Sequence, residues 1–257
     1  MSADFESALA VAFIVFACVL SGAVIGTLLR SALPEHHLGD DSKDVVRMAT
    51  GLMATMSALV LGLLIASAKG DFDTQYNLLK HVASDTILLD RVLAHYGSET
   101  KDIREQIRRG VVSRLDAIWP ENESRVVVDS PETSLEAEWV DDEIRELSPQ
   151  NEFQRQLQTR ALQIDADAMQ TRWLLFGGAG SAIQRPFLVV LVFWVTVIFV
   201  TFGLFAPRNG TVSVVLFITA VSVSCAIFLI LELDTPFDGL LKMSSAPLRF
   251  TLAHLGQ

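Results

Sequence analysis

The hydrophobic positions of this chain fall into four long runs that no charged residue interrupts. The runs extend over Ala8–Leu29, Met48–Ala68, Phe187–Ala206 and Val212–Leu231. Each run has the roughly 20 residues that a helix needs to cross a hydrocarbon core of about 30 Å. Buried helices of water-soluble proteins are seldom so long and so free of charge. The pattern therefore predicts four membrane-spanning helices.

The first run does not have the features of a secretory signal peptide. The residues before it include Asp4 and Glu6 but no Lys or Arg. The run is also longer than the 7 to 15 apolar residues that are usual in such peptides. We therefore expect an uncleaved first span.

The four runs divide the chain into two span pairs around a polar insert. The predicted division is a first pair over residues 1–68, an insert over 69–185, a second pair over 186–232 and an amphipathic tail over 233–257. Because two spans precede and two follow the insert, the amino terminus, the insert and the tail lie on one side of the membrane.

Basic residues near the membrane ends favour a cytoplasmic location for the insert. Residues Lys69, Lys80, Arg172, Arg185, Lys242 and Arg249 lie on its side, against Arg30, Lys43, Arg47 and Arg208 in the two opposite loops. Lys and Arg are enriched in cytoplasmic segments, although long domains follow this rule poorly. We expect a multi-pass protein of the inner (plasma) membrane with both termini in the cytoplasm.

The insert and the tail show helical periodicity, so the predicted fold class is all-α. One apolar stripe consists of Phe72, Leu79, Val82, Leu89, Leu93 and Tyr96, and Gly97 provides the stop. The next comprises Ile103, Ile107, Val111, Leu115 and Ile118, with Ser98 or Thr100 as the cap. A third comprises Phe153, Leu157, Ala161, Ile164, Met169 and Trp173, and the tail adds Leu248, Leu252 and Leu255.

Composition agrees with a membrane protein and argues against several kinds of function. Hydrophobic residues make up 51% of the chain, charged residues only 19%, and the formal net charge is −10. Such an acidic balance repels nucleic acid. We find no phosphate loop, nucleophile motif or His–Glu metal motif, so we expect neither an enzyme nor a bound cofactor. We interpret His36 and His37 as solvated, and Cys18 and Cys225 as packing residues.

Four stretches of the sequence resemble one known family. They are "LLDRVLAHYG" at 88–97, "QTRWLLF" at 170–176, "FWVTVIFVTFGLFAPRNGT" at 193–211 and "AIFLILELDTPFDGLLKMSSAPLRFTLAHLG" at 226–256. These stretches are similar to the bacterial bestrophin-like domain family, a family of unknown function. The resemblance implies a distant likeness to bestrophins, which are oligomeric, chloride-permeable channels with four spans per subunit and a helical cytoplasmic region. No bestrophin pore or calcium-binding motif can be assigned residue by residue.

The second span offers two faces that could serve different purposes. Small residues at spacings of three and four form a ridge suited to close helix contact, namely Gly51, Thr55, Ala58, Gly62 and Ala66. The other face carries the candidate pore-lining residues Thr50, Ser57, Leu61, Leu64 and Asp71. Around an oligomer axis, hydroxyls would lead to a leucine constriction and then to a ring of carboxylates. Alternatively, the hydroxyls only bond their own helix backbone.

In the first span, Cys18, Gly22 and Gly26 form a packing face.

Acidic residues cluster where the second and fourth spans leave the membrane. With Asp71, the candidates for a charged vestibule are Asp73, Glu232, Asp234 and Asp238. Such a vestibule concentrates cations and repels chloride, whereas the family resemblance implies anions. The ion selectivity therefore stays open, and the carboxylates could also only bond helix ends.

Two functions fit the sequence. The first is a homo-oligomeric channel for inorganic ions in the lipid bilayer. The alternative is a membrane scaffold or sensor that conducts nothing and whose insert binds a partner. Discrete conductance steps in planar bilayers distinguish the two.

Overall fold

The described part of the chain folds into α-helices joined by short turns. The computed structural model describes residues 3–34, 39–120, 131–177, 185–207 and 209–256. The helices are α1 (Ala3–Ala32), α2 (Asp40–Tyr96), α3 (Lys101–Ile118), α4 (Pro131–Glu146), α5 (Glu152–Gly177), α6 (Arg185–Phe205), α7 (Gly210–Leu233) and α8 (Ala246–His254), with a short 3-10 helix at Ser98–Thr100. The predicted all-α class is confirmed. His36 and His37 lie outside the described residues.

Four of these helices, α1, α2, α6 and α7, are long and apolar enough to cross a membrane. The prediction of a four-span integral membrane protein is therefore confirmed. The helix that contains the second span does not end where the apolar run ends at Ala68. It is 57 residues long in all and continues without a break to Tyr96. The side of the membrane on which the insert lies stays a prediction.

The structure divides into two compact units, and the four spans belong to the first. This unit comprises 1–72, 181–235 and 239–241. Its core takes residues from all four spans: Val15, Val19, Leu64, Ala68, Leu191, Val195, Phe199, Ala220, Ile227 and Ile230. Burial of these side chains holds the spans together by shape and dispersion, since lipid is as apolar as the residues themselves.

Helices α1 and α6 pack most closely, at glycine positions. A Cβ atom on Gly22 would lie 2.7 Å from the Thr196 carbonyl oxygen. A Cβ on Gly26 would strike the backbone of α6, and one on Gly203 would strike that of α1. The predicted packing face at Gly22 and Gly26 is confirmed. At the far end of α1, Arg30 Nη1 donates to the Ala206 carbonyl oxygen at 2.7 Å, which satisfies a free carbonyl where α6 ends.

The second unit is a helical bundle formed by the later half of α2 with α3, α4, α5 and α8. It comprises 73–180, 236–238 and 242–257. The predicted stripe on α2 is buried from Leu79 to Tyr96. Gly97 ends the helix with φ of 145°, a conformation that a residue with a side chain seldom adopts. The predicted stripe on α3 is buried at Ile103, Ile107, Val111 and Ile118.

Two local predictions differ from the structure. Thr100 occupies the cap position of α3, but its hydroxyl does not cap that helix. It donates instead to the Leu93 carbonyl oxygen at 2.6 Å and so closes the turn after α2. On α5, the predicted stripe is wrong at its ends, because Phe153 is 62% and Trp173 66% exposed.

From Lys242 onward, the carboxyl-terminal tail belongs to the second unit. The buried residues Leu248 and Leu255 confirm the predicted apolar face of α8. The Thr251 hydroxyl donates to the Ala83 carbonyl oxygen at 3.1 Å. Before α8, the Trp119 indole N–H donates to the Met243 carbonyl oxygen at 2.8 Å. This last part of the chain is therefore a component of the folded bundle.

Candidate functional site

The face of α2 that was predicted to line a pore packs mainly inside the subunit. Thr50, Ser57 and Leu64 are each no more than 7% exposed, while Leu61 is half-buried against the same core. The Thr50 hydroxyl donates to the Val46 carbonyl oxygen at 2.7 Å, as the alternative interpretation of the hydroxyls expects. The Ser57 hydroxyl has no hydrogen-bond partner among the described residues. This burial does not favour contact between these side chains and an axis shared by several subunits.

The opposite face of α2 is open. A Cβ atom added at Gly51 or Gly62 would meet no atom within 4 Å. The small-residue ridge therefore has no partner helix within the described part of one subunit. Beside the ridge runs a line of exposed apolar side chains spaced by four, three and four residues, namely Leu52, Met56, Leu59 and Leu63.

The acidic residues predicted to form one vestibule are distributed over both units. Asp71, Glu232 and Asp234 belong to the first unit, and Asp73 and Asp238 to the second. Asp73 is exposed, while Asp71, Asp234 and Asp238 are half-buried. Asp238 lies 3.8 Å from the Lys242 ammonium, which offsets part of its charge. Their assignment to a vestibule stays a prediction.

Glu232 lies in an environment that the sequence did not indicate. Its side chain is 0% exposed, and one carboxylate oxygen accepts a hydrogen bond from the Leu240 backbone N–H. Gly239, with φ of 80°, passes so close to the carboxylate that a Cβ there would collide with it. Oε1 has no partner in the described parts of the chain. Glu232 thus organises the turn after α7 and does not present its charge to open water.

A pair of charged residues inside the second unit was missed by the sequence analysis. Asp165 is only 3% exposed, and burial raises its pKa to about 6 although the charge of Arg172 opposes the shift. Burial lowers the pKa of Arg172, and Asp165 counteracts this. Their spacing of seven residues places them on the buried face of α5 with Ala161, Ala168 and Leu175. The seven-residue spacing of Asp165 and Arg172 is visible in the sequence. A search for periodic apolar residues does not detect it, because both residues are charged.

The model of the bestrophin-like domain family matches residues 17–248. The chain belongs to the bestrophin-like domain family. The expected resemblance is therefore confirmed over most of the sequence. A search of curated proteins finds no match.

Solved structures support the same fold. This bestrophin-like chain is similar to a bacterial bestrophin homologue from Klebsiella pneumoniae, crystallised as several single-residue variants. One variant has a TM-score of 0.68 at 15% identity, with 97% of each chain covered. Another has a TM-score of 0.64 at 14% identity, with 94% of this chain and 98% of that chain covered. At such identity the likeness shows the fold alone.

Proposed function

We propose that this bestrophin-like protein is the subunit of a homo-oligomeric ion channel. The membrane half of α2 from each subunit would surround the pore. The observation that carries the proposal is the open face of α2, where a small-residue ridge lies beside an exposed apolar line. Among the four spans, α2 is also the least apolar. The resemblance of its family to bestrophins, which are oligomeric channels, supports the same function.

The two open features of α2 suit two different contacts. The ridge that includes Gly51 and Gly62 permits close approach of a neighbouring helix in lipid. The adjacent line, with Leu59 at 70% and Leu63 at 64% exposure, would then face the axis. A ring of such side chains forms a hydrophobic constriction that gates by dewetting. Asp71, half-buried at the insert end of the span, stays the candidate for a carboxylate ring.

The face predicted from sequence remains the alternative pore wall. Its residues Thr50, Ser57 and Leu64 are packed against the subunit's own core. They would meet ions only if the path ran through each subunit or if α2 rotated. The two models place different leucines in the path, so labelling can separate them.

Cysteine accessibility tests the channel and its lining together. In a Cys18→Ala, Cys225→Ala background, we expect a charged thiol reagent to block the conductance of Leu59→Cys channels in planar bilayers. Leu64→Cys channels should stay unaffected. Phe13→Cys serves as the control, since Phe13 on α1 is 71% exposed on a different span. Block at Leu64 alone would favour the sequence-predicted face, and electrical silence over a range of voltages and salts would contradict a channel.

The scaffold function has one observation in its favour. In the insert, the two aromatic residues Phe153 and Trp173 on α5 expose 62% and 66% of their surfaces. Such residues are common at protein interfaces. A silent protein that still forms a defined complex, and loses it on substitution of Phe153 or Trp173, would support the scaffold.

A further inference from the structure

The membrane unit has a pocket where α1 and α6 end and α7 begins. Its wall comes from the last turns of α1, the end of α6 and the first two turns of α7, and its free volume is about 420 Å³. That volume is within the range of about 300 to 1,000 Å³ that is usual for sites of small molecules. We call it the α1–α7 pocket, and the wall residues used below are Thr27, Ala206, Asn209, Gly210, Ser213 and Leu216.

The α1–α7 pocket extends from the membrane boundary into the hydrocarbon region. Helix α7 lines it from Gly210 to Leu216, and these six steps correspond to about 9 Å at a rise of about 1.5 Å per residue. The next residue, Phe217, packs its ring edge to face against that of Phe16 on α1, with the centroids 5.7 Å apart. This ring pair brings α1 and α7 into contact beyond the inner end of the pocket.

The hydroxyl groups in the wall already donate to their own helices. The Thr27 hydroxyl donates to the Val24 carbonyl oxygen at 2.7 Å, and the Ser213 hydroxyl donates to the Asn209 carbonyl oxygen at 3.4 Å. The side-chain oxygen of Asn209 accepts from the Val212 N–H at 2.9 Å, so its amide nitrogen is the group that can donate to a ligand.

Arg30 supplies a positive charge at the outer rim of the pocket. Its Nη1 donates to the carbonyl oxygen of Ala206, a wall residue, at 2.7 Å. This bond holds the guanidinium in place and uses one of its five N–H groups. Arg30 is only half-buried, so a ligand at the rim can reach it. A phosphate group accepts charge-assisted hydrogen bonds from a guanidinium, which are about twice as strong as neutral ones.

The rim and the depth of the pocket call for an amphiphilic ligand. A soluble anion would bind Arg30 but would leave the apolar wall at Leu216 uncovered. A purely apolar molecule would cover that wall but would offer no acceptor to Arg30 and Asn209. A phospholipid has both a phosphate and an acyl chain, and it is the medium that surrounds these spans.

We propose that the α1–α7 pocket is a binding site for one phospholipid. Arg30 and Asn209 would hold the phosphate, and an acyl chain would lie between α1 and α7 as far as Leu216. The site is independent of the channel proposed above, because that proposal rests on α2, whereas α1, α6 and α7 build the α1–α7 pocket.

Native mass spectrometry of the full-length protein in detergent counts the bound lipids. Phosphatidylglycerol with two oleoyl chains is titrated into delipidated wild-type protein, and we expect one lipid per subunit to bind more tightly than any later one. The soluble headgroup sn-glycerol 3-phosphate should bind about 100-fold more weakly, because it has no chain to bury.

Two substitutions with matched controls locate the lipid. Arg30→Gln should weaken binding of the first lipid about tenfold, because one charged hydrogen-bond donor is lost. Arg47→Gln is its control, since Arg47 precedes the second apolar run and so lies at the same membrane face, with 81% of its side chain exposed.

Gly210→Leu tests the cleft even if Arg30→Gln fails to fold. A Cβ atom at Gly210 would meet no atom within 4 Å, so a leucine there can fill the pocket, and we expect binding of the first lipid to weaken at least about tenfold. Thr211→Leu is the control, because Thr211 is exposed on the same turn.

Four results would each overturn the proposal. They are undiminished binding of the first lipid in Gly210→Leu, equal weakening by Arg30→Gln and Arg47→Gln, an affinity for sn-glycerol 3-phosphate equal to that for the lipid, and a lower oligomer mass in Gly210→Leu. The last result would show that a neighbouring subunit, and not a lipid, occupies the α1–α7 pocket.

Discussion

The backbone N–H of Gly256 donates to the Asp90 carboxylate at 3.2 Å, across 166 positions of the sequence. The same carboxylate receives two bonds from Arg104, at 2.7 Å and 3.0 Å. Asp90 is only 1% exposed, so all three bonds form away from water. One carboxylate on α2 thus joins α3 and the end of the tail.

Removal of the Asp90 charge should loosen the tail and destabilise the bundle. In Asp90→Asn, Arg104 loses its partner in a largely buried place, and we expect a loss of stability on the order of 3 kcal/mol. Limited proteolysis should then cleave the tail faster, and the melting temperature should fall. Glu152→Gln is the control, because it breaks an exposed ion pair of similar length, and such pairs contribute about 1 kcal/mol at most. Equal effects of both substitutions would contradict the assigned role of Asp90.

Substitution of a glycine on α1 should destabilise the subunit, whereas substitution of a glycine on the open face of α2 should not. Gly26→Ala places a methyl group against the backbone of α6, and we expect a loss on the order of 2 kcal/mol because the core is overpacked. Gly51→Ala meets no atom within 4 Å and should leave the melting temperature of the subunit unchanged or slightly raised. Melting curves in detergent provide the comparison.

A larger residue on the ridge should act on assembly. Gly62→Leu leaves the subunit core untouched, but it blocks close approach of another helix along α2. We expect the oligomer to dissociate while the melting temperature of the subunit stays near that of the wild type. Size-exclusion chromatography with light scattering distinguishes the oligomer from the dissociated subunit. An unchanged oligomer would show that the ridge faces lipid.

Asp165 should make the stability of the protein depend on pH. The pKa of its carboxyl is raised to about 6 in the folded protein, from 3.8 without burial, so the folded state binds the proton more tightly than the unfolded state. Stability should therefore fall as the pH rises from about 4 to about 6, by on the order of 2 kcal/mol. Asp165→Asn should remove this component and be more stable than the wild type at pH 7.5. Melting temperatures of both proteins from pH 4.5 to 8 test the difference, and parallel curves would contradict it.

The ion preference of the proposed channel can be tested at Asp71. If its carboxylates form a ring at the mouth, Asp71→Asn should move the reversal potential in a KCl gradient towards the chloride equilibrium potential. Glu146→Gln on α4 removes one exposed carboxylate from a different helix and should leave the potential unchanged. An unchanged potential in Asp71→Asn would place its side chain away from the ions.

Local patterns along the chain were sufficient to predict the helices and to identify those that cross the membrane. Hydrophobic runs free of charge identified the four spans, because a lipid core excludes ionised side chains along the whole length of a helix. Periodic apolar residues identified the face of α3, and Gly97 the end of α2, because both depend on neighbouring residues only. The family could also be recognised from the sequence, since its motifs are continuous stretches of the chain.

Only the tertiary structure decided which polar residues are buried. Thr50, Ser57 and Leu64 form a plausible pore stripe on an isolated helix, but their exposure depends on where α1, α6 and α7 pack. Asp165 and Arg172 are likewise ordinary charged positions until four helices close around them. Burial is a property of distant parts of the chain brought together, and a single sequence records it only where the residues concerned are apolar.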